Sequence, residues 1–144
     1  MIDQRFIGSW RLLSCELRSA DGDVTYPMGE APIGTIMYNA DGQMSVAFMR
    51  ANRAPFAAND ILGGSQAEKA AAAESYISYA GRFDVGAGEV RHHIEVSLFP
   101  NWVGQTQVRR YRFEGDRLYL STPPLLLQGK EQEAYLIWER AGGG

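Results

Sequence analysis

Three side chains capable of acid–base or anion chemistry stand apart in this 144-residue chain: His92, Arg109 and Tyr38. A histidine moves protons near neutral pH, an arginine holds a carboxylate, enolate or phenolate through its fork of donors, and a tyrosine hydroxyl orients an oxyanion. His92 has a neighbour in His93. Adjacent residues of a strand point to opposite faces, so the two imidazoles cannot grip one ion, and no metal site is expected. No serine elbow, phosphate-cradling glycine loop or dinucleotide fingerprint is present, and no cofactor is expected. The single cysteine, Cys15, reads as an inert buried thiol.

The elements that would position these groups are strands. Apolar alternation marks about eight: 10–17, 33–38, 43–49, 79–85, 89–99, 105–113, 117–122 and 133–140. Short turns such as Asn39-Ala40-Asp41-Gly42, Gly86-Ala87-Gly88 and Glu114-Gly115-Asp116 join several of them, which predicts an up-and-down antiparallel meander. The one long interruption, 50–78, carries a capping box in Ser65-Gln66-Ala67-Glu68 ahead of an alanine-rich run, which predicts a helix over about 65–76. Such an insertion either covers a barrel mouth or shields a sheet edge. The fold expected is mainly β: one antiparallel barrel over 1–144, with a short N-terminal helical turn and one helical insertion.

Period two then sorts side chains into inner and outer sets. Val90, His92, Ile94, Val96 and Leu98 share the inner face, while His93 points out. Gln107, Arg109, Tyr111 and Phe113 share the next. The same rule places Tyr38, Met44, Phe48, Tyr79, Phe83, Leu120 and Trp138 on the wall. The expected ligand-lining set is therefore Tyr38, Met44, Phe48, Tyr79, Phe83 and His92, with Ile94, Arg109, Tyr111, Phe113, Leu120 and Trp138. A buried Arg109 is costly unless a carboxylate, a ring face or an anionic ligand meets it, and Glu16 is an available carboxylate. His92 is either a satisfied core histidine or a group that meets ligand.

Bulk properties narrow the partners. A formal net charge of −3 argues against nucleic acid, and no stretch is long and apolar enough for a spanning helix. No signal-like N-terminus is read, and with one cysteine the expected location is the cytoplasm, away from membranes. A homodimer is compatible with this composition. Gly142-Gly143-Gly144 reads as a frayed tail.

Gly8-Ser9-Trp10 opens the first strand, and with it Tyr26-Pro27-Met28-Gly29, Gly34 to Tyr38 with Asp41-Gly42, His92-His93 with Ser97, Pro100-Asn101-Trp102, and Arg109 with Gly115-Asp116-Arg117-Leu118 run through the chain. Together these resemble the bacterial and fungal lipocalin-like domain family. The resemblance implies a calycin-type barrel with an internal cavity, in which Trp10 packs beneath an arginine from the last strand. Arg140 is placed to be that arginine, so Gly8, Trp10 and Arg140 would close the barrel. It supplies no reaction.

Three functions fit this reading. The first is intracellular binding of a small hydrophobic or aromatic molecule whose anionic or carbonyl group meets Arg109 and His92. The second is a cofactor-independent cyclase or isomerase acting on a natural-product or polyketide-type intermediate, with His92 moving a proton while Arg109 and Tyr38 stabilise the oxyanion. The third is a barrel packed solid with side chains, serving as an interaction or oligomerisation module.

Overall fold

A computed structural model describes residues 3–142; Gly143 and Gly144 of the expected tail, like Met1 and Ile2, lie outside it. Ten strands form one sheet: β1 (Gly8–Ser19), β2 (Val24–Thr25), β3 (Ile33–Tyr38), β4 (Gln43–Met49), β5 (Tyr76–Gly86), β6 (Glu89–Ser97), β7 (Thr106–Glu114), β8 (Arg117–Ser121), β9 (Leu125–Leu127) and β10 (Lys130–Arg140). Strand order is β2-β1-β3-β4-β5-β6-β7-β8-β10-β9, and β1 also pairs with β10 from Trp10↔Arg140 to Ser19↔Gln132. Eight strands therefore close a barrel. The two short ones, which the sequence did not betray, extend the far ends of β1 and β10.

One end is sealed by the residues expected to seal it. The Arg140 guanidinium lies 4.1 Å from the Trp10 ring centroid and donates to the carbonyl oxygens of Ile7 (2.9 Å) and Arg5 (2.8 Å). Trp10 Nε1 donates to Phe6 O at 2.9 Å. Gly8 holds φ +124, a conformation that favours glycine, and a Cβ there would lie 3.0 Å from Arg140 Nη1, a tight approach that the guanidinium would have to yield to. The short 3-10 turn Gln4–Phe6, capped by Asp3, drives the fully buried Phe6 ring into the barrel axis. Phe6 meets Tyr38, Tyr111 and Phe113 edge-on at 5.1, 4.9 and 4.9 Å.

Two bulges correct the parity reading. Between Leu12 and Ser14 the β1–β10 register slips, because Leu13 is an extra residue. Trp10 and Leu12 face inward before it, Cys15 and Leu17 after it. Glu16 is thereby turned outward to pair with Arg18, and it is not the partner of Arg109. In β6, Gly81 of β5 pairs with Ile94 while Ala80 pairs with Val96, which leaves Glu95 as the extra residue. Val96, expected inside, is consequently 61% exposed, and Leu98 lies half-open at the rim. Gly81 permits this: a Cβ there would sit 1.9 Å from His93 O.

The insertion holds helix α1 (Gln66–Glu74), with the Ser65/Glu68 capping box intact. The helix is shorter than expected because Tyr76 joins β5 opposite Met49. Arg53 ties the segment together, donating to Ser75 Oγ (3.0 Å) and Ala72 O (2.8 Å) and lying 5.2 Å from the Tyr76 ring centroid. The β4–β5 crossing leaves α1 at the end opposite Trp10. No helix among the described residues is long and apolar enough to cross a membrane.

Candidate functional site

A cavity of about 780 Å3 opens at the end where α1 sits. Its walls are apolar: Ile36, Val46 and Phe48 from β3 and β4, Leu120 from β8, and Leu136 and Trp138 from β10. Met28, Ile77 and the Leu125–Leu127 strand narrow the mouth, and the Pro100–Trp102 turn crosses it. Trp102 stands edge-on to Tyr79, with ring centroids 5.7 Å apart. The polar groups come from β5, β6 and β7: Tyr79, His92 and Arg109. That distribution, greasy walls with a few convergent polar atoms, suits a small organic molecule.

His92 is fully buried, and both of its ring nitrogens are engaged. Tyr38 Oη lies 2.7 Å from Nε2, and Tyr79 Oη lies 2.7 Å from Nδ1. Burial, reinforced by the positive charge of Arg109, holds its pKa well below the usual 6.5, so the ring is neutral and carries one N–H and one lone pair. One tyrosine must therefore donate to the ring and the other accept from it. Tyr38 is enclosed by Phe6 and Phe83, at 5.1 and 4.7 Å between centroids, and His92 is its hydrogen-bond partner among the described residues. Its proton goes to Nε2. Nδ1–H then donates to Tyr79, whose own O–H is left to point toward the cavity, because the opposite arrangement would strand the Tyr38 proton against aromatic carbon.

Arg109 extends from β7 beside Tyr79 and is 8% exposed. Its Nη1 donates to Val108 O at 3.1 Å and, at 3.4 Å, to Gln107 Oε1. Both acceptors are neutral, and among the described residues no carboxylate pairs with it. Burial pushes the Tyr79 phenol above its ordinary pKa while Arg109 pulls it down, and Tyr38 rises well above it through burial. Both phenols are therefore protonated donors at neutral pH.

Of the residues expected to meet a ligand, Phe48, Tyr79, His92, Arg109, Leu120 and Trp138 line this cavity. Tyr38 lies behind His92. Phe83, Tyr111 and Phe113 cluster around Phe6 at the sealed end, and Met44 and Ile94 are buried in the core at the level of Gly81 without lining the cavity. The sequence reading missed Phe6, whose ring fills the lower half, although an aromatic two residues before Gly8 was the available signal. Cys15, read as a buried thiol, is buried and also lines the cavity, which the sequence did not indicate; burial pushes its thiol up to about 12 and keeps it neutral. His93 faces outward as expected, 2.6 Å from Asp84 Oδ2 and 2.9 Å from Thr106 Oγ1.

A closed eight-stranded antiparallel barrel, sealed at one end and hollow at the other, is the architecture of proteins that enclose one small ligand. The chain belongs to the lipocalin-like domain family, whose model matches residues 7–141. Over 106 residues it is 37% identical to an Aspergillus oryzae protein described as a 4'-hydroxy-3'-methoxypropiophenone carrier protein, a match covering 67% of this chain and 96% of that one. A solved lipocalin-like protein from Bacteroides uniformis has a similar fold, with a TM-score of 0.50 and 11% identity over 95% of this chain and 99% of its own.

Proposed function

We propose that this barrel carries a small aromatic molecule bearing a carbonyl or ionisable oxygen, in the cytoplasm, and that the oxygen meets Tyr79 and Arg109 while the ring packs among Phe48, Leu120 and Trp138. The observation that carries this is the buried Arg109 guanidinium beside a free tyrosine donor in the wall of an apolar chamber. The fungal carrier lends support, since an aryl ketone with a phenol and an alkyl chain has this combination of apolar ring and polar oxygen. A volume of about 780 Å3 is ample for a molecule of that size.

The catalytic alternative asks His92 to take a proton from the ligand. Both of its nitrogens are occupied and its basicity is depressed, which disfavours that role. The solid-core alternative is disfavoured by the chamber itself. The test is a fluorescence titration of the protein with 4'-hydroxy-3'-methoxypropiophenone, following quenching of Trp138 and Trp102. Saturable binding at one site per chain, weakened by Arg109→Gln, is expected; the absence of saturation would overturn the proposal.

A further inference from the structure

Resting on the carrier reading, we propose that the barrel takes its ligand as an oxyanion: a para-acylphenol is bound as its phenolate, with the ionised oxygen against Arg109 and Tyr79. Three observations converge on this. Arg109 is a buried cation whose protein partners, Val108 O and Gln107 Oε1, are both uncharged. Glu16, the carboxylate that strand parity offered as its partner, is turned away to Arg18 by the β1 bulge. A buried guanidinium left so is costly, and an anionic guest removes that cost.

The second observation is the direction of the Tyr38–His92–Tyr79 chain. Its protons all run toward the cavity, so the Tyr79 hydroxyl arrives there as a donor, and Arg109 offers donors alone. A neutral phenol placed there could accept from these donors, but it would bring its own O–H among them and no charge to meet the guanidinium. A phenolate brings acceptor lone pairs alone and a negative charge. The third is the company of ionisable groups lining the chamber. Besides Tyr79, His92 and Arg109 these are Cys15, Tyr76 and Glu74, and Glu74 is exposed at the end of α1 by the mouth. Cys15 is a neutral thiol. Arg109 is thus the one buried charged group among these lining residues.

The chemistry of the guest agrees. A carbonyl para to the hydroxyl draws the phenolate charge into the ring and onto its own oxygen, so such a phenol is more acidic than tyrosine. On binding, its O–H bond breaks, the proton leaves to solvent, and the oxygen keeps the electron pair. An acid set against a buried arginine has its pKa lowered by about one to three units. The neighbouring Tyr79 donor adds to the same shift.

Absorbance tests this directly, because ionisation moves an acylphenol's band to longer wavelength. The probe is 4'-hydroxy-3'-methoxypropiophenone, titrated with the full chain at about one pH unit below its free pKa, where it is roughly nine-tenths neutral in solution. The bound form is expected to show the phenolate band. Its methyl ether, which cannot ionise, is expected to bind at least about tenfold more weakly, the equivalent of one pKa unit. Arg109→Gln should abolish the band shift and level the two affinities, whereas Arg109→Lys, which retains the charge, should keep part of the shift. A neutral-phenol spectrum for the bound probe, or equal affinity for phenol and ether in the unaltered protein, would overturn the inference while leaving the carrier reading in place. Failure of both compounds to bind would overturn the two together.

Discussion

The Tyr79 hydroxyl stands 2.7 Å from His92 Nδ1 on the cavity side of the imidazole, so the histidine's hydrogen bonding reaches a ligand only through that phenol. In the proposed carrier His92 is accordingly a positioning residue: it would orient the donor that Tyr79 presents, and Tyr38 would orient His92 in turn.

The two tyrosines should separate when mutated. Tyr79→Phe removes the donor to the ligand and is expected to weaken binding by about 1.5–3 kcal/mol, the range for a hydrogen bond to a charged group. Tyr38→Phe leaves a buried nitrogen lone pair unpaired and should cost about 1–3 kcal/mol of stability while leaving ligand affinity nearly unchanged. Fluorescence titrations and urea unfolding of both variants read this out. Equal losses of affinity would refute the directional chain.

Acid should destabilise the protein through His92 before it does so through carboxylates. The folded pKa of His92 lies well below its unfolded value of 6.5, chiefly because of burial, so between those two values the unfolded chain binds the extra proton. Stability therefore falls as pH drops below 6.5, with a slope of up to about 1.4 kcal/mol per unit. Asp84, whose carboxyl His93 and Arg91 hold below its ordinary 3.8, starts losing its contribution only at more acid pH. Unfolding free energies at a series of pH values should show the His92 slope in the unaltered chain and its disappearance in His92→Leu.

The sealed end should be structural alone. Gly8→Ala forces a side chain into a φ of +124 and against Arg140 Nη1, with an expected loss of about 1–3 kcal/mol. Arg140→Met removes the stacked cation and the donors to Ile7 and Arg5, for a loss of at least about 0.5–2 kcal/mol from the ring contact. Both variants, once folded, should bind ligand as the parent does. A selective loss of affinity in either would move the binding site downward.

Arg53 should set the rate of exchange. By holding Ala72 O and Ser75 Oγ it fixes the end of α1, where Ala73 and Glu74 line the mouth. Arg53→Ala is expected to speed both entry and release in stopped-flow measurements, with little change in equilibrium affinity or in thermal stability. Unchanged rates would make the helix an edge cover.

Period two read the barrel well wherever a strand ran without interruption. β7 has no bulge, and Arg109 is inside as alternation requires; Trp138 on β10 and Phe48 on β4 likewise face inward. It failed at Leu13 and Glu95, because one added residue inverts every later side chain and nothing in the local composition announces it. Gly81 marked the second bulge from across the sheet, a signal visible only once β5 and β6 were paired. Depth along the barrel axis was also illegible. Tyr111 and Arg109 share a face and a strand, yet one packs on Phe6 and the other lines the chamber.

The β1–β10 seam has a consequence for how this molecule comes into being. Its register joins Trp10 to Arg140 and Ser19 to Gln132, the most distant pairings in the sheet. On a ribosome, β1 emerges early and waits for its second neighbour until almost all of the remaining barrel has been synthesised. Until then the strands can form only an open, curling sheet with its apolar face in water. Closure is therefore a late and slow event of high contact order, and the interval before it is when the nascent chain is most exposed to aggregation.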